Sequence, residues 1–237
     1  MKWISIATVL VLMLSVECTA QITIKTEYFG TSAYRDEHNQ KVGNSKGSAM
    51  VYHGSANLPL SMKKNESNQP TIWGIGLSGD YASLNNKNIA EPLVLSEILN
   101  LQMSLFHVRP LSEKWSMMVS VGVGVYTDDT RFSHLRFRNV LGSAGLVFVR
   151  RILPNLELGV GLALNNAFGY PMAFPALYVN WNYGHKLTCS FSALDGANLA
   201  VGYNVNKTFS INFITEMGGQ MALTELNGDD KIFTHQY

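Results

Sequence analysis

The sequence is poor in cysteine, poor in charge and free of long apolar runs. Of its two cysteines, Cys18 lies in the leader segment and Cys189 stands alone beyond it. A single cysteine makes no internal disulfide and no cysteine-based metal site. Charged residues make up 15% of the chain, well under the roughly 25% of an average soluble domain. Hydrophobic residues stand at an ordinary 46%, so the chain is not one that stays disordered for want of a core. After the first 20 residues no stretch approaches the ~18 uncharged apolar residues of a membrane-crossing helix. The net charge of +1 gives no broad electrostatic pull, and no nucleic-acid partner is expected.

Sites of familiar type are also missing. Gly142-Ser143-Ala144-Gly145 has no Lys-Ser or Lys-Thr after it, and Gly122-x-Gly124 lies within strand alternation, so neither reads as a nucleotide loop. The six histidines, His38, His53, His107, His134, His185 and His235, fall at no metal-ligand spacing. No cofactor, no metal and no enzymatic activity are expected.

What is present begins with a secretory leader. Lys2 supplies a positive start, residues 4–14 an apolar core, and Cys18-Thr19-Ala20 a small-residue cleavage site. Residues 1–20 are therefore read as a signal peptide and 21–237 as the mature domain. Cys18 does not make a good lipidation site, because Glu17 stands where a small residue is wanted.

Alternation dominates the rest. Trp115, Met117, Val119, Val121, Val123 and Val125 are separated by Ser116, Met118, Ser120, Gly122, Gly124 and Tyr126. Leu156, Leu158, Val160, Leu162 and Leu164 are separated by Glu157, Gly159, Gly161, Ala163 and Asn165. Successive strand residues face opposite sides, so each segment has one greasy face and one small or polar face. Eleven such segments can be traced, the weakest near 22–30 and 139–151, with a short twelfth at 231–237. Many exceed the ~5–6 residues of an average soluble strand and reach the ~9–11 of a tilted membrane-spanning one.

The connections support the same reading. Counting from the first, odd connections (30–46, 85–96, 127–139, 218–230) are mostly long, and even ones (109–114, 152–155, 184–185) mostly short. Outer-membrane barrels pair short periplasmic turns with longer external loops. Trp73, Trp115, Trp181 and Tyr183 all fall beside short turns, as an aromatic girdle would. In hydrocarbon every backbone polar group must be paired, which a closed sheet achieves. The fold predicted is an all-β, antiparallel up-and-down transmembrane barrel of about 12 strands. Residues 231–237 are short for a spanning strand, so a closed barrel and one incomplete at the C-terminus both fit the sequence.

Several stretches resemble a known family. These are Lys114-Trp115-Ser116-Met117, Gly124-Val125-Tyr126-Thr127-Asp128, and the run from Pro154-Asn155-Leu156 to Asn165-Asn166-Ala167-Phe168-Gly169-Tyr170-Pro171. The chain resembles Bacteroidales outer-membrane β-barrel proteins of unknown function over nearly all of its mature length. The resemblance implies an outer-membrane barrel and brings no catalytic or ligand-binding residues.

Candidate site residues come from the inward parity. Asp80, Asn100, Gln102, Glu157, Asn165, Asn180, Asn182, Asn198, Asn212 and Glu216 are expected to line a polar lumen, with structural inter-strand hydrogen bonding inside a plugged barrel as an equal account. His53 and Ser55 share one face at i, i+2 with Asp80 nearby, the residue types of a Ser-His-acid hydrolase. Asp128, Asp129, Arg131, His134, Arg136 and Arg138 crowd one loop, a composition that could hold phosphate or a divalent ion. A solvated mixed-charge loop explains the same residues. The function expected is a pore, transport or structural barrel of the cell outer membrane, with a lipid-active barrel enzyme or a surface-adhesion barrel as alternatives. Its expected partners are outer-membrane lipid and the barrel-assembly machinery.

Overall fold

The computed structural model describes residues 21–35, 38–88, 95–131, 134–166, 171–184, 186–194, 196–206, 209–226 and 229–236; for 226 and 229–236 only the backbone is described. The expected leader, and residues 167–170 of the resemblance, lie outside the described residues.

Strong period-two patterning produces strands almost throughout. They are β1 (Gln21–Arg35), β2 (Lys41–Lys64), β3 (Pro70–Lys87), β4 (Glu97–Pro110), β5 (Trp115–Thr127), β6 (Val140–Leu153), β7 (Leu156–Asn165), β8 (Met172–Tyr183), β9 (Leu187–Ala193), β10 (Ala197–Asn204), β11 (Ser210–Met217), β12 (Gly219–Leu226) and β13 (Asp229–Gln236). Strands β1 to β11 form one sheet in sequence order, each antiparallel to the next, curled into a half-barrel. This is the up-and-down architecture that short turns and simple alternation dictate. No helix among the described residues is long and apolar enough to cross a membrane.

The eleven alternating segments correspond one for one to β1–β11. Two places differ from expectation. The first connection is strand rather than loop, because β1 and β2 extend to Arg35 and Lys41, where Asn39 takes a left-handed φ of 62°. Asn tolerates that conformation better than most residues. The second difference is at the C-terminus. Residues 219–226, expected within a loop, form β12, and the twelfth segment pairs with it as β13 in a separate two-stranded hairpin. The periodicity of 231–237 is genuine, yet its partner lies off the wall.

The pleat separates two faces. Outside are Leu77, Met103, Leu105, Val121, Val123, Leu158, Val160, Leu162, Leu164, Ile211 and Phe213, all large and exposed. At the short-turn end this face carries rings: Trp73 stacks on His107 with centroids 4.0 Å apart, Arg150 covers Trp115 at 5.4 Å, and Trp181 meets Tyr183 at 5.7 Å. Higher on the same face Tyr52 stacks on Tyr81 at 6.2 Å. Along β3, Trp73 and Tyr81 are separated by about 26 Å at ~3.3 Å per residue. Beyond Tyr81 the strand turns polar, ending Asn85-Asn86-Lys87.

The inside is packed by matching small residues with large ones. One cross-strand row reads Gly74, Phe106, Ser120, Gly145, Ala163, Phe174. A Cβ on Gly74 would come within 2.2 Å of the Phe106 ring. Two apolar clusters form, one of Val147, Val149, Ala163, Phe174 and Ala176, the other of Val51, Ala82, Ile98 and Ala222 of β12. The first explains why β6 alternates weakly in sequence: its inward residues Val147 and Val149 are as apolar as its outward Leu146 and Phe148. Pro59 sits where the β2–β3 register shifts, a bulge that accommodates its missing N–H.

Close strand packing makes a sharp prediction. A Cβ at Gly161 would meet the Leu146 carbonyl oxygen at 1.9 Å and Val147 Cα at 2.7 Å, both backbone atoms that cannot swing aside. Gly161→Ala should destabilise the sheet by about 1–3 kcal/mol or more. Gly54→Ala, which meets nothing within 4 Å, should be nearly neutral. Urea unfolding of the two variants in detergent measures the difference; equal midpoints would contradict the packing described.

Candidate functional site in the lumen

Register aligns inward polar residues into rows. Lys25, His53, Asp80, Asn100 and Tyr126 are successive cross-strand partners from β1 to β5. His53 Nδ1 lies 2.5 Å from Asp80 Oδ1. Lys25 pairs with Glu27 at 3.0 Å and with Glu216, which projects from β11. Asn198 Nδ2 donates to Glu216 at 3.0 Å. Side chains of the two edge strands thus meet, although β1 and β11 share no backbone ladder among the described residues. The row closes through side chains what the main chain leaves open.

Asn100, fully enclosed, ends the charged part of the row on the hairpin. Its Nδ2 donates to the Met221 carbonyl at 2.6 Å, and the Met221 N–H donates to its Oδ1 at 3.2 Å. Asn139 Nδ2 donates to the Leu223 carbonyl at 2.6 Å, and Thr224 Oγ1 donates to Asp128 at 2.7 Å. Arg138 pairs with Glu225. The inner wall therefore grips β12 chiefly by its main chain, and the hairpin fills the interior toward the long-loop end.

Below it, bounded by Gly218 and Gly219, lies a cavity of about 370 Å³. Its lining includes His53, Ser55, Asn57, Ser78, Asp80, Gln102, Ser104, Ser120, Ser143, Asn165 and Asn166. A second row, Asn57, Gly76, Ser104, Gly122, Ser143, shows how the space arises. Glycine alternates with serine, and a Cβ at Gly76 or Gly122 would press on the Ser104 or Ser143 hydroxyl at 2.6 or 2.7 Å.

The ten residues of inward parity separate by place. Asp80, Gln102 and Asn165 line the cavity, and Asn100 holds β12. Asn198 and Glu216 belong to the seam with Lys25. Glu157 pairs with Arg151 at 3.2 Å beside a smaller cavity at the short-turn end. Asn182 is exposed, its carbonyl accepting from Asn155 at 2.9 Å. Asn212 lies against Gly202, and Asn180 is half-buried opposite Ser190. Ser55 shares the cavity with the His53–Asp80 pair but makes no hydrogen bond to His53. Among the described residues no three His, Cys, Asp or Glu side chains gather as metal ligands.

Sequence reasoning did not find Asn139, Asn166, Met221 or Thr224. Only Asn139 and Asn166, at the two ends of recognisable strands, carried any signal.

The charges of the loop are paired off, Asp129 within the loop and Arg136 and Arg138 with Glu225 of β12. Arg131 clasps Asp129 through its guanidinium (2.8–3.1 Å) and its own N–H, and His134 adds a contact at 2.7 Å. The Arg131 hydrogen bonds hold the Asp129 carboxyl well below the usual range, and Arg138 lowers Glu225 in the same way. A carboxyl with a depressed folded value contributes stability above its unfolded value of about 3.9, lost as pH falls through the folded one. Carboxyl NMR should give Asp129 a midpoint below an ordinary aspartate, moving upward in Arg131→Gln. An ordinary midpoint in both would contradict the clasp.

No curated protein and no solved structure matches the chain. One family does: residues 16–237 match Domain of unknown function (DUF6268). The chain belongs to the DUF6268 family.

Proposed function

We propose that this protein is an outer-membrane barrel that admits a small polar solute, its lumen stoppered by the β12–β13 hairpin. The observation that carries the reading is the division of the wall. An outward apolar band runs between the Trp73–His107 level and the Tyr52–Tyr81 level, while the inward face carries the polar rows. The ~26 Å between those levels along β3, less for a tilted strand, suits the ~25 Å apolar band of such barrels. Aromatic rings at both limits fit headgroup-level girdles. The short turns would then face the periplasm and the Asp129–Arg131 loop the outside. The Bacteroidales resemblance and a cleaved leader belong to the same proposal, and no catalytic step is assigned.

The stopper follows from the grip on β12. Asn100 and Asn139 hold main-chain groups of a strand that would otherwise be hydrogen-bonded to water, so their loss leaves buried groups unpaired at about 1–3 kcal/mol. Wild-type protein, refolded in detergent and migrating faster unheated than boiled, should give small or brief conductance in planar bilayers. Asn100→Ala with Asn139→Ala should open more often or more widely. Solubility without detergent, or silence in both proteins, would contradict the proposal.

A further inference from the structure

The cavity beneath the hairpin has a hydrogen-bonding character that its own walls leave unused. Ser55, Ser78, Ser104, Ser120 and Ser143 line it, and none of these hydroxyls bonds to another described residue. The amides of Asn57, Gln102 and Asn166 likewise have no described partner. Asn166, only 4% exposed, is the most enclosed of the three. Hydroxyls and amides that face a cavity without a protein partner are free to bond a molecule that enters it. Next to Gly219, the Gln220 amide is also buried with both polar atoms unpaired.

The charged groups nearby are, by contrast, already partnered, and of them only His53 and Asp80 line the cavity. His53 and Asp80 face each other, and Lys25 takes both Glu27 and Glu216. An anion would meet the Asp80 carboxylate, and a cation at Asp80 would have to displace His53. What remains is a convergent set of neutral donors and acceptors around about 370 Å³, a size within the ~300–1,000 Å³ of small-molecule sites. Hydroxyls and amides both donate and accept, as does a sugar hydroxyl.

We infer that this cavity is a binding site for a small, uncharged, polyhydroxylated molecule, a monosaccharide or polyol, held by Ser55, Ser104, Ser143, Asn57, Gln102 and Asn166. The inference rests on the polar-lumen reading above and names the solute class. The Gly76 and Gly122 positions keep the serine hydroxyls accessible, and Asp80 and His53 form one charged wall that stays internally paired.

Isothermal titration of the refolded full chain in detergent tests it, with glucose, mannitol and glycerol as neutral probes and gluconate and glucosamine as charged ones. Saturable binding of at least one neutral probe is expected, stronger than that of either charged probe. Gln102→Leu should weaken it about tenfold, each lost hydrogen bond to a buried partner being of that order. The milder pair Ser104→Ala with Ser143→Ala should weaken it too, which guards against misfolding in Gln102→Leu. No saturable neutral binding up to the solubility limit, tighter binding of a charged probe, or affinity unchanged in folded variants would each overturn the inference. Conductance without sugar binding would sink this inference and leave the passage reading standing; sugar binding without conductance would do the reverse.

Discussion

Main-chain pairing between consecutive strands is the constraint on which the rest depends. Each of β1–β10 bonds the next in sequence, so the register of one strand fixes the height of every inward residue beside it. A slip of one residue would exchange the faces, sending Leu158, Val160 and Leu162 inward and Gly159, Gly161 and Ala163 outward. The polar rows, the glycine–aromatic fits and the cavity are all products of that register. The same pairing leaves a problem at its limits, since β1 and β11 each have one bare edge among the described strands. Lys25 and Glu216 span that seam with side chains where a twelfth wall strand would supply backbone.

The hairpin changes how the interior should be understood. Taken alone, the inward parity describes a lumen lined by Asn, Gln, Asp and Glu. With β12 in place, Asn100 and Asn139 bind backbone carbonyls, Ala222 joins an apolar cluster, and Asp128 and Arg138 anchor the strand's outer end. What is left unspoken for is the hydroxyl-lined cavity. Hairpin and cavity are thus one arrangement: the strand that packs into the interior also roofs the cavity at Gly218–Gly219. In a barrel embedded in lipid, a solute would have to pass that roof.

Much of this was legible in the sequence because period two is a strong signal wherever one face is apolar and the other small. Leu156 to Asn165 could be assigned strand, faces and limits from the residues alone, and the structure agrees. Legibility failed where that contrast failed. Residues 146–149 are apolar on both faces, because Val147 and Val149 serve the core. Residues 219–226 begin at the second of two glycines and carry Gln, Thr and Glu, which resembles a loop until the Asn100 side chain, on a strand about 120 residues earlier, takes the main chain of Met221. The His53–Asp80 contact was suggested by proximity of strands, whereas the place of Asn166 in the cavity was not, since a strand end does not tell an inward amide from a loop one.

The central claim is that the outward apolar face is a lipid-facing wall, with Trp73, Trp115 and Trp181 at its lower limit. The most direct measurement is quenching of tryptophan fluorescence by lipids brominated at different acyl positions, in vesicles carrying the full chain. Bromines near the headgroup should quench strongly and those near the chain ends weakly, because the three rings lie at one interface. Emission quenched at no depth, or equally by a water-soluble quencher in protein that never enters the vesicles, would contradict the account.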